Sequence, residues 1–203
     1  MTALLQRVLV TVGRPFAWLV FRPQVRGRQH LVAKSGLVVC PNHLSGFDVL
    51  AVAYGIPNLR MRYMAKNQLF RRPVLGQIIR SLGAFPAHDG DGLPGGVAAA
   101  AALAAYGDAV VIFPEGVRRR IRRRKPQTGA ARTALAAEVP LIPVALRGTD
   151  GWRRLRRWQI AFGPPVVLDD LRDGDPIEAA REATQRLWEK VTALEAELAA
   201  PDA

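Results

Sequence analysis

Short runs of aliphatic and β-branched residues alternate with helix-forming stretches along this chain, and that alternation restricts its fold more than any other feature. The strongest run is "DAVVIFPEG" (108–116), followed by "PLIPVAL" (140–146). "GLVVC" (36–40), "RMRYMAK" (60–66), "GAFPA" (83–87) and "WQIAFGPPVVL" (158–168) share its strand character. Helices are expected between them over 48–56, 73–82, 95–107 and 128–138, with Pro73 at a favourable first helical position and Thr128 as a cap. In the last stretch, 177–198, residues Ile177, Ala180, Thr184, Leu187, Val191, Leu194 and Leu198 mark one face at helical spacing. Strands alternating with helices predict an α/β fold, a single-domain αβ sandwich with a central mixed sheet flanked by helices. A length of 203 residues suits one domain with a substantial core. No internal repeat is present.

The N-terminal stretch stands apart from that pattern. Residues 3–21 are strongly apolar, yet Arg7, Gly13, Arg14 and Pro15 interrupt them. A spanning helix wants about 20 residues almost free of charge, and an arginine at mid-bilayer is costly. The small-residue cleavage pattern of a secretory signal is missing too. Leu4, Leu5, Val8, Leu9 and Val12 fall at helical spacing, with Arg7 and Arg14 as snorkelling edges and Trp18 as an interfacial anchor. Residues 1–21 are therefore expected to form an amphipathic membrane-associating segment, and 22–203 the main domain. A helix packed on the protein's own core is the competing expectation.

Charge points the same way. The formal net charge is +12, which favours an anionic partner: acidic lipid, phosphorylated substrate or nucleic acid. Arginines cluster at 118–125 and 147–158. Trp152 and Trp158, flanking the second cluster, make it a candidate membrane-facing patch. No nucleic-acid motif or aromatic stacking platform accompanies the charge, so no nucleic-acid partner is expected. The single cysteine, Cys40, excludes an internal disulfide and any multi-cysteine zinc site. The spacing of His43, Asp48, His88, Asp89 and Asp91 matches no familiar metal pattern. "GDGLPGG" (90–96) fits neither a P-loop nor a dinucleotide fingerprint and reads as a loop.

Two places carry chemistry. In "CPNHLSGFDVL" (40–50), His43 precedes Asp48 by five positions at the start of a helix. A carboxylate bonded to one ring nitrogen fixes the tautomer that lets the other take a proton. The alternative is that Asp48 caps the helix while Asn42, His43 and Ser45 are ordinary turn residues. The chain has no G-x-S-x-G elbow, and Cys40 ends an apolar run, so a direct proton abstraction by His43 is the simplest chemistry. "FPEGVR" (113–118) ends the strongest strand, where α/β sheets bind ligands. Its glutamate, glycine and arginine offer a hydrogen-bond acceptor, a close backbone approach and a phosphate clamp. A strand-ending turn before a solvated basic loop is the alternative.

Taken in order, "NHLSGFD", "YMAKNQLF", "LGAFPAHDGDG", "FPEGVR" and "VPLIPVAL" resemble the motifs of the glycerolipid acyltransferase family, the 1-acylglycerol-3-phosphate acyltransferases, over roughly residues 22–168. The resemblance implies that His43 is the general base and Asp48 its orienting partner. It implies an acceptor site in Phe113, Pro114, Glu115, Gly116 and Arg118, with Arg118 and Lys66 on the acceptor's phosphate. Pro143 falls in the motif linked to donor binding or packing. Acyl-CoA or acyl-carrier protein supplies the acyl group as co-substrate, with no cofactor and no metal. It further implies a peripheral or monotopic enzyme on the cytoplasmic face of the cell membrane, touching anionic lipids and a lysophospholipid acceptor. Two departures stand out. The second motif usually carries an arginine where this chain has His88 and Asp89, and Val117 replaces a usual threonine. Those changes leave open a different acceptor, or a membrane-binding relative with altered catalysis.

Overall fold

The structure, a computed structural model, describes residues 2–31, 36–56, 60–87, 94–119 and 125–200, and for residues 2–10, 94 and 152 the backbone alone. In chain order the elements are α1 (Thr2–Phe21), β1 (Gln24–Arg26), β2 (Leu37–Pro41), α2 (Asp48–Gly55), β3 (Met61–Lys66), α3 (Asn67–Phe70) and α4 (Pro73–Ser81). They continue with β4 (Ala84–Ala87), α5 (Pro94–Ala105), β5 (Ala109–Val111), α6 (Gly129–Ala137), β6 (Leu141–Arg147), β7 (Gln159–Phe162) and α7 (Pro176–Ala199). The strands form one seven-stranded sheet in the order β1-β7-β6-β2-β5-β3-β4. Every neighbouring pair is parallel except β6 with β7, so the sheet is mixed, as expected.

Alternation along the central strands divides the core into two layers. Leu37 and Val39 of β2, with Ala109 and Val111 of β5, face a cluster that includes Ala51 and Val52 of α2 and Phe21 at the end of α1. Val38 and Cys40, with Val110, face the opposite cluster, built with Ala100 of α5, Ala134 of α6 and Leu187 of α7. That is the period of two expected of a strand covered on both faces. Burial raises the Cys40 thiol pKa far above its ordinary value, so it is an inert core residue.

Several expectations require correction. The strand read over 108–116 pairs only as Ala109–Val111, because the chain leaves the sheet there to build a turn closed by Gly116 N–H on the Phe113 carbonyl at 3.0 Å. The run 158–168 pairs only as Gln159–Phe162. Gly163 then donates to the Pro143 carbonyl at 2.9 Å, and the prolines that follow have no N–H to give a ladder. Thr128 precedes α6 in a helical conformation (φ −75°, ψ −5°) and makes no side-chain cap. Ile177 is 64% exposed, so the buried stripe of α7 begins later, at Ala179 and Ala180. Trp158 is only 1% exposed and stacks on Phe21 at 4.2 Å; it is a core residue and faces no membrane.

Helix α1 runs unbroken through Pro15. Its Arg14 does not snorkel: Nη1 donates to the Tyr54 carbonyl at 3.3 Å and the guanidinium lies 4.7 Å from the Tyr54 ring centre. Arg28 Nε donates to the neighbouring Gly55 carbonyl at 3.1 Å, so two arginines satisfy the C-terminal end of α2. The opposite side of α1 is bare, with Val12, Phe16 and Leu19 each 64–71% exposed, and Trp18, one turn on from Arg14, is 64% exposed as well. Among the described residues no helix is long and apolar enough to cross a membrane.

Candidate active site

Strands β6, β2, β5 and β3 lie side by side and point the same way, so the segments that follow them meet at one edge of the sheet. Asn42 and His43 follow β2, Phe113–Arg119 follow β5, Gly148 and Thr149 follow β6, and Lys66 ends β3. This is where open α/β sheets place their ligands.

His43 and Asp48 meet there. The His43 Nδ1 lies 2.8 Å from Asp48 Oδ2. Asp48 is fully buried, and the same oxygen also accepts from the backbone N–H of Leu44 (2.6 Å) and Ser45 (2.9 Å). Its Oδ1 accepts from the Thr149 hydroxyl at 2.6 Å. Burying a carboxylate is costly unless it is fully bonded, and these donors satisfy both oxygens while fixing its orientation. Because the carboxylate can only accept, the proton on the histidine ring sits on Nδ1 and the lone pair on Nε2. The His43 side chain retains 17% exposure, with the Phe113 ring 4.2 Å away and tilted 31° to it. Asp48 is not a helix cap: the cap position belongs to Phe47 and carries no side-chain bond.

The segment after β5 wraps this pair. Gly116 adopts φ +66°, a left-handed conformation that disfavours any side chain. Glu115 is 1% exposed; its Oε1 accepts from His43 N–H at 3.1 Å, and Arg119 Nε lies 2.9 Å from both oxygens. The glutamate therefore works from within the wall of the site, engaged with protein groups. Pro114 is also buried, and its carbonyl accepts from Gln127 N–H at 2.8 Å. Arg118 is exposed, with its guanidinium beside Gly46: a Cβ built on that glycine would come 3.4 Å from it. Lys66 is exposed at the end of β3. Pro143 lies inside β6, opposite Cys40 of β2, and packs in the sheet. His88 and Asp89 lie outside the described residues. Among those described, no group of His, Cys, Asp or Glu is arranged to hold a metal ion.

Four participants were not legible as such in the sequence. Thr149 and Glu195 carried no motif, Arg119 was one arginine in a run, and Asn42 passed for a turn residue. Asn42 is in fact fully buried; its side chain exchanges bonds of 2.7 and 3.0 Å with the backbone of Leu146 and donates to Glu195 at 2.6 Å. The one signal was chemical: an asparagine directly after a buried strand needs partners for its amide. A surface cavity of about 560 Å³, lined among others by Lys125, Thr128, Arg181 and Trp188, opens along α7; its lining does not include His43.

Comparison with known proteins bears on this arrangement. A family model described as Acyltransferase matches residues 22–147. The 1-acyl-sn-glycerol-3-phosphate acyltransferase of Bacillus subtilis is 27% identical over 179 residues, covering 86% of this chain and 89% of its own. The protein of the same name from Salmonella typhimurium is 33% identical over 98 residues, 45% of this chain and 40% of that one. The crystal structure of the 1-acyl-sn-glycerophosphate acyltransferase from Thermotoga maritima superposes with a TM-score of 0.72 at 19% identity, over 97% of this chain and 81% of that one. That likeness is one of fold.

Proposed function

The chain belongs to the acyltransferase family, and on that premise we propose that it moves a fatty acyl group from a thioester, acyl-CoA or acyl-carrier protein, to the free hydroxyl of 1-acylglycerol-3-phosphate or a closely related lysophospholipid. The product step belongs to phospholipid synthesis. The Bacillus subtilis relative named 1-acyl-sn-glycerol-3-phosphate acyltransferase, matched along 89% of its length, supports the acceptor class.

The single observation that carries the chemistry is the Nδ1 contact of His43 with a buried, immobilised Asp48 at 2.8 Å. Nε2 removes the proton of the acceptor hydroxyl as its oxygen attacks the thioester carbonyl. A new C–O bond forms, the C–S bond breaks, and the imidazolium returns the proton to the departing thiolate. Asp48 stabilises that imidazolium and holds the ring in the productive tautomer. Arg118 and Lys66 are the candidate cations for the acceptor's phosphate. Adjacent strands are spaced by about 4.8 Å, so the ends of β2 and β3, separated only by β5, stand roughly 10 Å apart. That span suits a glycerol backbone between His43 and a phosphate held by Lys66. Phe113 shields one side of the imidazole, while Pro114, Glu115 and Gly116 shape the wall.

The acceptor is a membrane lipid, and α1 offers a way to meet it. Val12, Phe16 and Leu19 recur at helical spacing on its bare side, with Arg22 and Arg26 behind them. Residues 1–21 lie in the membrane interface in this reading, apolar side down, with the arginines near anionic headgroups. The enzyme is then peripheral or monotopic on the cytoplasmic membrane face.

The test is acyl transfer from long-chain acyl-CoA, and separately from acyl-carrier protein, to lysophosphatidic acid and other lysophospholipids in anionic vesicles. Lysophosphatidic acid is expected to be acylated, with His43→Ala slower by about 10²–10⁴-fold. Transfer only to a different lysophospholipid would make residues 82–92 the determinant of the acceptor. Undiminished transfer by His43→Ala would overturn the assignment of the base.

A further inference from the structure

His43 is held by its backbone as well as by its ring. Its N–H donates to Glu115 Oε1 (3.1 Å) and its carbonyl accepts from Arg119 N–H (2.8 Å). Both of its main-chain groups therefore depend on a segment that is neither helix nor strand. Arg119 anchors that segment. Its Nε bonds Glu115, its Nη1 and Nη2 fork onto Glu195 at 2.6 and 3.0 Å, and its plane rests 5.4 Å from the Trp188 ring centre. Glu195 Oε1 also accepts from Asn42 Nδ2 at 2.6 Å, and Asn42 is joined to His43 by a peptide bond. The links close a circuit: His43, Glu115, Arg119, Glu195, Asn42 and back to His43. No link exceeds 3.1 Å.

We propose that Glu195, on helix α7, is a positioning residue for His43, acting through Arg119 and Asn42 to fix where the imidazole stands. The circuit leaves the ring nitrogens untouched, so its effect lies in placement. Glu195 stands well beyond residue 147, where the match to the family model ends, so the carboxy-terminal helix brings the base a support that the matched region does not contain. The two carboxylates also keep Arg119 charged. Burial works to lower its pKa, but the bonds to Glu195 and Glu115 outweigh that and the net direction is upward. A two-pronged charge-assisted bond fixes orientation better than a single neutral one. Misplacing a reacting group by about 1 Å can cost roughly 10²-fold in rate.

This inference rests on the acyl-transfer reading for its kinetics, and a second readout frees it from that dependence. The full chain is compared with Glu195→Gln, which keeps the size and the bond from Asn42 but removes the charge that grips Arg119. Leu198→Ala is the control: Leu198 lies one turn on, is 3% exposed and packs with Ala145 and Ala161, none of which is a member of the circuit. With lysophosphatidic acid and acyl-CoA in anionic vesicles, well below every variant's Tm, Glu195→Gln is expected to lower kcat about 10–100-fold with KM within twofold. Leu198→Ala is expected to lose more Tm but keep kcat. In parallel, ¹⁵N NMR follows the His43 Nδ1–H signal, assigned among the three histidines of the chain by its loss in His43→Ala. That signal is expected to shift or broaden in Glu195→Gln and hold still in Leu198→Ala. A Glu195→Gln enzyme with unchanged kcat and an unmoved His43 signal overturns the proposal. So does a loss in Leu198→Ala that matches it at equal loss of Tm. Should wild type transfer no acyl group, the enzymatic reading fails on its own, and the NMR comparison still decides whether Glu195 places His43.

Discussion

The two longest helices, α1 and α7, sit at opposite ends of the chain and turn opposite faces outward. Helix α7 buries Ala180, Ala183, Leu187 and Val191 and covers its outer side with ion pairs, among them Arg181 with Glu178 and Arg186 with Glu182. Helix α1 buries Phe21, pins itself with Arg14, and leaves Val12, Phe16, Trp18 and Leu19 bare. A helix whose apolar side meets the core and whose charges meet solvent is built for water. The exposed side of α1 is apolar instead, and such surface is a cost in water rather than a gain. Both helices nonetheless reach the His43–Asp48 pair. Phe21 packs on Phe47, next to Asp48, at 6.2 Å, and Glu195 holds the loop of His43. The same site is thus braced from a helix with a charged outer side and from one with a bare apolar side.

The largest contrast is expected in stability. Leu187 is fully buried in the core between α7 and the sheet. Leu187→Ala is expected to cost about 2–5 kcal/mol in a denaturant titration, whereas Leu19→Ala, at a site 71% exposed, stays within about 0.5 kcal/mol. Equal losses would mean that the bare face of α1 is covered by protein. Membrane binding should reverse the ranking. Burying a large apolar side chain is worth roughly 1.5–3 kcal/mol, so Phe16→Ser with Leu19→Ser is expected to weaken sedimentation with anionic vesicles about a hundredfold. Leu187→Ala, while folded, is expected to bind as wild type does. Unchanged vesicle binding by the double variant would remove α1 from the interface.

A smaller difference lies at the helix starts. Asp175 caps α7, accepting from the N–H groups of Ile177 (3.0 Å) and Glu178 (2.9 Å), whereas α1 has no acidic residue in its first turn. Asp175→Ala is expected to lower stability by about 1 kcal/mol. If the cap serves only α7, vesicle binding is unaffected; a variant that unfolds no more readily than wild type would show the cap to be idle.

How legible this was in the sequence depended on the range of the interaction. Runs of aliphatic and β-branched residues, and the 3.6 period of the last stretch, found β2, β3, β6 and α7 to within a residue or two, because each such pattern is written locally. They overran β5, since the apolar pattern continues through Phe113, while the last ladder bond is that of Ile112 N–H to the Val39 carbonyl at 3.0 Å. They missed β1, a three-residue edge strand with no fully buried residue. The His43–Asp48 pair was readable because five positions of spacing hold both partners. Thr149, which meets Asp48 across 101 positions, and Glu195, which meets Asn42 across 153, leave no local trace. Trp158 was misread for the complementary reason: flanking arginines describe its neighbours in sequence, while its neighbours in space are Phe21 and Phe47.

The smallest expected effect tests whether the charged coat of α7 is more than decoration. Arg186, itself half-buried, forks onto the exposed Asp170 at 2.9 and 2.8 Å and bonds Glu182 at 2.8 Å. The bond to Arg186 holds the Asp170 carboxyl below its ordinary pKa. A depressed carboxylate contributes stability above the pKa it has when unfolded, about 3.9 for aspartate, and loses that contribution as pH falls through the lower folded value. Arg186→Ala should therefore unfold slightly more readily than wild type at pH 7. The gap should close in acid below about pH 4, and also in 1 M salt, where screening acts within about 3 Å. A gap that persists in both conditions would mean that Arg186 stabilises α7 by packing its aliphatic stem, not by charge. The wet face of α7 would then resemble the bare face of α1 more than its ion pairs suggest.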